Sequence, residues 1–252
     1  MELTAKTGVQ RVRHEIQRRD IVVSRIEQLA PAYLRITFSG ESLQGFTSLS
    51  FDDHLKFILS DEGDARVWRD YTPQHFDPVS RELTLEFALH EQGPASDWAR
   101  SAAVGTAATV AGPRGSMIIP RDYDWHLLAG DATALPAIRR RLDELPAAAN
   151  VIIIASGDDG ERLLPASTAA AATAAGTGMR SVQRVANDEE MVAAVRALSL
   201  PGGLGYCWCA GEAAAMKQLR DVLANEKRHP RDAMRVAAYW KQGAASHHEN
   251  LE

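Results

Sequence analysis

Short apolar-rich segments follow one another along the first half of the chain. In the segment 33–38 hydrophobic and polar residues alternate, and β-branched and aromatic residues are frequent, as expected for strands. Turn residues such as Gly40, Gly45 and Gly93 separate it from similar short segments. The pattern predicts an antiparallel β-barrel between residue 20 and about residue 120. Its strands are expected at 21–26, 33–38, 54–59, 83–90 and 106–111.

The pattern changes after residue 123, where longer helical stretches separate brief apolar runs. In 189–198 the apolar residues Met191, Val192, Val195 and Leu198 recur at helical spacing. Strands that alternate with helices predict a C-terminal α/β domain with a parallel sheet and right-handed crossovers. The boundary is expected near 121–125. Strands are expected at 125–129, 151–155 and 205–210, and helices at 134–145, 189–198 and 213–227.

Composition narrows the class of protein. The 252 residues suit two domains, and 45% hydrophobic with 24% charged residues is typical of a globular chain. No apolar run approaches the roughly 20 residues of a membrane helix, and the first twenty residues form a basic arm unlike a secretory signal. The net charge of −5 predicts no general affinity for nucleic acid or membranes. Cys207 and Cys209 are expected to be buried reduced thiols, so we expect a cytoplasmic protein.

Three segments carry candidate chemistry. In RDYTPQ, Arg69 suits a phosphate, Tyr71 suits a flat heterocycle, and Thr72 suits a ring nitrogen. An exposed strand end before a proline turn has the same composition.

The other two segments each join a strand to a helix. In HEQGPASDWA, Ser96 is a candidate N-cap, and exposed amides there would suit an anion. In AGDATALPAI, Gly130 allows a tight turn, Thr133 can cap, and Pro136 suits a first helical turn. Without a three-glycine fingerprint, this third segment only suggests phosphate binding.

Six segments together resemble the siderophore-interacting protein family in their order and spacing. They are RDYTPQ, LHEQGPAS, GPRGS, LLAGDATALPAI, CAGEAAAMKQLR and YWKQG. This family comprises FAD-dependent ferric-siderophore reductases related to the ferredoxin reductases. The resemblance spans residues 20–243. It implies an FAD-binding barrel domain at 20–122 and an NAD(P)H-binding α/β domain at 123–243, with a C-terminal tail that returns to the flavin.

The resemblance also implies which residues bind cofactor and substrate. The cofactors are FAD and either NADPH or NADH. The implied cofactor-binding residues are Arg69, Tyr71, Thr72, His90, Gly93, Ala95, Ser96, Gly130, Asp131, Thr133, Ala134, Ala210, Gly211, Glu212, Tyr239 and Trp240. The implied substrate-binding residues are Lys56, Lys241 and Arg114.

This sequence departs from the family pattern at two places. Gln74 replaces a residue that is usually basic, and alanines fill 169–175, where the family carries a tryptophan and basic residues. The choice between NADH and NADPH stays open, because Asp158, Asp159 and Glu161 would suit a ribose hydroxyl while Arg162 would suit a 2'-phosphate.

The function implied by the resemblance is electron transfer from NAD(P)H through flavin to the Fe(III) of a ferric siderophore. We expect no catalytic residue beyond the flavin, no protein metal site, and a monomer. Lys56 and Lys241 would favour an anionic chelate of the catecholate type. Two alternatives stay open: a general NAD(P)H-dependent flavin or electron-transfer reductase, and a ferric-siderophore binding module without redox work.

Overall fold

The computed structural model describes residues 8–61, 66–89, 93–157, 163–164, 178–243 and, for the backbone, 249–251. These form two compact units. One comprises Val9–Ile119 with Arg139–Arg141, and the other is built mainly from Pro120–Ile138 and Leu142–Glu252. The predictions made for His90, for 158–162 and for the alanine-rich segment 166–176 fall outside the described residues.

The N-terminal unit contains a seven-stranded antiparallel sheet and a separate pair of strands. The sheet order is β5-β4-β8-β2-β3-β7-β6, and β1 pairs with β9. The strands are β1 (Gln10–Arg13), β2 (Arg18–Ala30), β3 (Tyr33–Ser39), β4 (Leu55–Ser60), β5 (Val67–Tyr71), β6 (His75–Asp77), β7 (Glu82–Ala88), β8 (Ala107–Ala111) and β9 (Gly115–Ile118).

Ring contacts show that this sheet is rolled into a barrel. Strands β4 and β7 are separated by β8, β2 and β3 in the sheet order, which would put them roughly 19 Å apart in a flat sheet. However, the ring centroids of Phe57 on β4 and Phe87 on β7 are 5.5 Å apart. Tyr71 on β5 lies 4.4 Å from Phe87 by the same measure. The two ends of the sheet therefore face each other around the core, which confirms the predicted antiparallel β-barrel.

One helix, α1 (Pro94–Ser101), packs against the barrel core. Trp98 reaches the rings of Phe57, Phe87 and Phe38, with centroid distances of 4.6, 5.8 and 6.1 Å. This aromatic cluster fixes the helix relative to strands β3, β4 and β7. The start of α1 is thereby held at a defined place on the barrel.

The C-terminal unit is an α/β fold with a six-stranded sheet in the order β12-β11-β10-β13-β14-β15. The first five strands in that order are parallel, and β15 runs antiparallel to β14. The strands are β10 (Trp125–Gly130), β11 (Asn150–Ser156), β12 (Arg180–Val185), β13 (Gly205–Glu212), β14 (Met234–Trp240) and β15 (Glu249–Leu251). The helices are α2 (Leu135–Glu144), α3 (Asp188–Ala197) and α4 (Ala213–Asp221), and α4 is followed by a π turn at Val222–Glu226.

The strand order determines where this unit can bind a ligand. From β10 the chain adds β11 and β12 on one side of the sheet, then β13 and β14 on the other. The direction of winding therefore reverses between β10 and β13. In open parallel sheets, ligands bind at such a reversal, beyond the carboxyl ends of the strands. Gly130 ends β10 and Glu212 ends β13, so these two residues mark the expected edge.

The apolar pattern explains the core of this unit. Met191, Val192 and Val195 on α3 are fully or almost fully buried and belong to one cluster with Met216 and Leu219 on α4. The helical spacing of Met191, Val192 and Val195 predicted that this face of α3 is buried. Cys207 and Cys209 lie in the same cluster as buried free thiols, as expected.

The structure contains strands that the sequence pattern did not predict. They are β1, β6, β9, β12, β14 and β15, and β1 with the start of β2 occupies the segment expected to be a basic arm. The helix expected at 213–227 is instead α4 and its π turn. Within the described ranges, no helix is both long enough and apolar enough to cross a membrane.

Candidate functional site

The RDYTPQ segment presents its side chains on two faces of β5. Arg69 lies opposite Phe57 and Tyr71 lies opposite Leu55 in the antiparallel pairing of β4 with β5. Directly opposed residues share a face of the sheet, and Phe57 and Leu55 are core residues. Arg69 and Tyr71 therefore lie on the inner side of the barrel wall.

Tyr71 is held by aromatic neighbours. Its ring centroid lies 4.4 Å from that of Phe87 and 5.7 Å from that of Phe57. Burial raises the pKa of the Tyr71 phenol above its ordinary value, and the charge of Arg69 opposes this rise only in part. The phenol is therefore a neutral ring with a hydroxyl donor rather than an acid at physiological pH. Thr72, the next residue, is buried as well.

Arg69 is half-buried, and its Nη1 donates to the carbonyl oxygen of Trp68 at 2.9 Å. This contact with the neighbouring residue fixes the direction of the side chain. A guanidinium held in this way offers planar paired donors, which match the oxygens of a phosphate or diphosphate.

The start of α1 offers further donors. Gly93 is the N-cap, and no side chain caps the first turn. Pro94 is the first helical residue, where its missing N–H costs nothing. A helix start without a capping side chain is a common site for an anion.

The prediction that Ser96 is the N-cap of α1 is wrong. Ser96 is the third residue of the helix and is buried, because the Gly-Pro pair begins the helix two residues earlier. Ala95 is half-buried in the same turn.

Taken together, Arg69, the neutral Tyr71 ring, the buried Thr72 and the uncapped first turn of α1 fit the needs of a flavin dinucleotide. They provide a fixed cation and the amides of a helix start for phosphates, and a flat apolar surface for a ring. The substrate candidates of the barrel lie elsewhere. Lys56 is on the outer face of β4, where its Nζ lies 2.7 Å from Oδ2 of Asp70, and Arg114 is exposed between β8 and β9.

In the α/β unit, the carboxylate of Asp131 is the centre of the expected ligand edge. Its Oδ1 accepts hydrogen bonds from the backbone N and the Oγ1 of Thr133 at 2.8 and 2.5 Å. Its Oδ2 accepts from the backbone N of Glu212 at 3.0 Å and from the indole Nε1 of Trp240 at 2.7 Å. Asp131 therefore joins the ends of β10, β13 and β14 through one buried side chain.

The environment of Asp131 acts on its protonation in two directions. Burial raises the pKa of this carboxyl, and the nearby charge of Asp188 raises it further. The hydrogen bonds from Thr133 and Trp240 lower the pKa, and burial is the largest of these effects. The four donors offset part of the cost of burying this carboxylate.

Two glycines at this edge allow the close approach of the strands. A Cβ at Gly130 would lie 2.4 Å from both the Cβ of Ala134 and the carbonyl oxygen of Ala210. Gly211 has a φ of +154°, and a Cβ there would lie 2.7 Å from Oδ2 of Asp131. Gly130 was expected to provide a tight turn. Its observed role is instead close packing.

The remaining candidates complete the same edge. The side chain of Glu212 caps α4 by accepting from the amides of Ala214 and Ala215 at 2.5 and 3.2 Å. Tyr239 is half-buried on β14, and Lys241, just beyond β14, is exposed.

The prediction that Thr133 caps α2 is wrong, because its hydroxyl donates to Asp131 and α2 begins two residues later. Pro136 lies in the first turn of α2, as predicted.

Several backbone N–H groups of this edge already donate hydrogen bonds within the chain. The amides of Thr133 and Glu212 donate to the carboxylate of Asp131, and the amide of Ala134 donates to its carbonyl oxygen. Asp131 is thus a structural anchor, and a nucleotide would use other donors of this edge. The glycine positions and the winding reversal fit a nucleotide, because backbone can approach a ligand closely there.

Sequence reasoning missed two polar features of the barrel. One is Asp70, the partner of Lys56, because the pairing of β4 with β5 brings together residues fourteen positions apart. The other is the buried Asp53, whose Oδ2 accepts from Ser116 of the GPRGS segment at 2.7 Å and from Ser48 at 2.8 Å. No periodicity in the sequence signals either contact.

The fold and these two sets of residues fit one class of protein, in which an FAD-binding barrel is followed by a parallel, nucleotide-binding α/β unit. Models of two known families match this chain. The model for the siderophore-interacting protein family matches residues 123–243, and the siderophore-interacting FAD-binding domain matches 22–68 and 60–117.

Individual relatives agree with these matches. The chain is 34% identical to the NADPH-dependent ferric-chelate reductase of Escherichia coli, over 92% of this chain and 96% of that protein. It is 30% identical to the ferric vibriobactin reductase ViuB of Vibrio cholerae, over 83% of this chain and 84% of that protein. A siderophore utilization protein from T. fusca superposes with a TM-score of 0.81 at 25% identity, covering 96% of this chain and 99% of that one. The chain therefore belongs to the siderophore-interacting protein family.

Proposed function

We propose that this protein is an FAD-dependent oxidoreductase that passes electrons from NAD(P)H to the Fe(III) of a ferric siderophore, so that Fe(II) is released for use in the cell. The main support is the 34% identity with a NADPH-dependent ferric-chelate reductase over 92% of the chain. The match of residues 22–117 to an FAD-binding domain supports the cofactor.

Within this proposal, the barrel binds FAD. Arg69 and the amides at the start of α1, from Gly93 through Ala95 and Ser96, would hold the diphosphate, because they combine a fixed cation with uncapped N–H groups. Tyr71 and Thr72 would contact the ring system. His90, outside the described residues, stays a prediction as a further contact.

The nucleotide edge belongs to the α/β unit. Gly130, Ala210 and Gly211 would allow NAD(P)H to approach the backbone. Asp131, Thr133, Ala134, Glu212 and Trp240 would shape that edge through the hydrogen bonds that join them, and Tyr239 lies beside Trp240 on β14. NADPH is the first donor to test, since the relative from Escherichia coli is named for it.

Bound FAD supplies the redox chemistry, since it can accept a hydride and give up electrons one at a time. The chain then has to bind and orient FAD, NAD(P)H and the ferric chelate and to exclude water. No acid–base residue is needed. Fe(III) is a hard ion that siderophore oxygens hold tightly, and Fe(II) is held more weakly. Reduction is therefore the step that frees the iron. Lys56, Arg114 and Lys241 are the proposed cations for the ferric chelate.

We further propose that the protein works as a monomer in the cytoplasm. The two buried free thiols, Cys207 and Cys209, are typical of a reducing compartment. Light scattering of the purified holoprotein tests the oligomeric state. The expectation of an anionic, catecholate-type chelate depends on the charge that Lys56 and Lys241 present, and the charge at Lys56 is considered below.

The proposal is tested by an anaerobic assay with the purified protein. Flavin absorbance should bleach with NADPH or NADH and return when a ferric chelate is added. A colourless protein that takes up no FAD but binds the chelate would instead be a binding module. Reoxidation by every acceptor, with no response to changes at Lys56 or Lys241, would indicate a general flavin reductase.

Arg69→Ala tests the placement of FAD. We expect this variant to lose most of its flavin on purification, because the diphosphate loses its cation. The matched control is Arg100→Ala, which removes an exposed arginine from α1 and should keep the wild-type flavin content. Full flavin in Arg69→Ala would show that the diphosphate lies elsewhere.

A further inference from the structure

Lys56, one of the proposed substrate cations, is paired with a carboxylate. Lys56 on β4 lies directly opposite Asp70 on β5, and Nζ lies 2.7 Å from Oδ2. The Lys56 side chain is 42% exposed and that of Asp70 is 21% exposed. Because Phe57, the next residue, faces the core, this pair lies on the outer face of the barrel.

The neighbouring cations of this outer face are also compensated. Ala111 on β8 lies opposite Lys56 on one side and opposite Arg18 on the other. Arg18 pairs with Asp61 at 2.5 Å, and Arg66 reaches the same carboxylate at 3.7 Å. Asp20, two residues from Arg18 on β2, accepts from Thr109 at 2.8 Å. We call Arg18, Lys56, Arg66, Asp20, Asp61 and Asp70 the Lys56 face, and its three cations are matched by three carboxylates.

The ion pair of Lys56 with Asp70 is partly buried. The second oxygen of Asp70, Oδ1, is buried and has no hydrogen-bond partner among the residues that the structure describes. The charge of Asp70 is therefore offset mainly by Lys56. A carboxylate that loses its partner in such surroundings is unfavourable, so Lys56 is held at Asp70.

We infer that Asp70 is a specificity-determining residue, which neutralises Lys56 and matches this face to ferric chelates of low net charge. This inference rests on the proposed function, in which the chelate meets Lys56. A ferric tris-hydroxamate suits such a face, because three singly charged ligand groups cancel the charge of Fe(III). A ferric tris-catecholate carries three negative charges and gains little from a cation that is already paired.

Binding of redox-inert gallium(III) complexes to the FAD-loaded protein tests the inference without turnover. The probes are Ga(III) desferrichrome, a neutral tris-hydroxamate, and Ga(III) enterobactin, a trianionic tris-catecholate, each titrated by calorimetry. In Asp70→Asn we expect the trianionic complex to bind about two- to eightfold more tightly. This is the range for one freed charge acting on three charges about 10 Å away in water, with and without screening by salt. The neutral complex should change less than about twofold.

Asp97→Asn is the matched control, because it makes the same change in net charge at an exposed residue of α1. It should leave the ratio of the two affinities unchanged. Equal effects of both substitutions, or no change in Asp70→Asn, would overturn the inference. If Asp70→Asn loses its flavin, Lys56→Gln serves instead, and it must weaken the trianionic complex more than the neutral one.

The role of Asp70 and the proposed function can fail independently. If the wild-type holoprotein, reduced by NADPH, reoxidises with neither ferrichrome nor ferric enterobactin, the proposed function fails. If it reoxidises with ferric chelate while Asp70→Asn leaves the gallium affinities unaltered, only the role of Asp70 fails.

Discussion

The carboxylate of Asp131, which is expected to lie at the nucleotide edge, accepts four hydrogen bonds from within the chain. Its partner Trp240 is 39% exposed. Their contact is therefore a polar bond between a buried carboxylate and a ring at the surface, and its contribution can be measured.

Trp240→Phe should lower the free energy of unfolding by about 1–2 kcal/mol, because the carboxylate of Asp131 loses a donor and keeps its burial. Urea unfolding of the purified protein measures this loss. The control is a double-mutant cycle with Asp131→Asn, in which the two changes should couple by about 1 kcal/mol. Strictly additive effects would mean that the indole contributes nothing through Asp131.

His229 gives the protein a defined response to acid. Burial lowers the pKa of its imidazole, and hydrogen bonding to the carbonyl of Ala233 at 3.0 Å opposes this only in part. The imidazole of the folded chain therefore takes up a proton at a lower pH than that of the unfolded chain, which does so near pH 6.5. As pH falls from 7 towards 5, protons favour the unfolded chain, and stability declines.

His229→Gln should reduce the loss of unfolding free energy between pH 7 and pH 5, compared with the wild-type loss. Urea unfolding at pH 7, 6 and 5 gives the two slopes. His75→Gln, at an exposed residue of the barrel, should keep the wild-type slope. A wild-type slope in His229→Gln would assign the acid response to other groups.

At the level of elements, the nucleotide edge depends on how closely the ends of β10 and β13 approach. Gly130→Ala should destabilise the protein by about 1–3 kcal/mol or more, since the new methyl group overlaps Ala134 and the backbone of Ala210. Gly202→Ala is the control, because a Cβ there meets nothing within 4 Å. Both are compared by urea unfolding, and equal stabilities would show that the edge can widen freely.

The sequence pattern predicted those elements whose burial follows a regular period. The first half of β2 and the apolar face of α3 are of this kind, because side-chain burial repeats with the geometry of the backbone. Strand β12 was missed, since its residues are half-buried or exposed and show no apolar alternation. Strand β14 was assigned to the tail, because its run of buried alanines carries little signal.

Sequence reasoning identified the residue types of the candidate site better than their contacts. Arg69 and Tyr71 are two positions apart, so they share a face of β5, and the pairing of β5 with β4 places both on the inner side. The partners of Lys56 and Asp131 could not be anticipated, because strand register brings together residues that are far apart in the chain. Ser96 was misjudged for a local reason, since the Gly-Pro pair already determines where α1 begins.

For the molecule as a whole, charge is the property most relevant to its substrate. The net charge is −5, and the Lys56 face adds no excess of cations to offset it. A trianionic chelate therefore meets a repulsive field that salt weakens.

Raising NaCl from about 20 to about 200 mM should lower the KM for ferric enterobactin by about two- to fourfold, with NADPH saturating. The KM for the uncharged ferrichrome should not change over the same range. Steady-state rates with each chelate give the comparison. A KM for the trianionic chelate that rises with salt would instead reveal an attractive cationic site.

The bond between Trp240 and Asp131 has a practical consequence. An indole whose N–H is held by a carboxylate, and whose ring is partly open to solvent, changes its fluorescence when either condition changes. The chain contains four other tryptophans, so the emission of Trp240 is obtained by subtracting the spectrum of Trp240→Phe. This difference spectrum gives the protein a built-in optical reporter at the carboxyl ends of its parallel strands, readable without any added label.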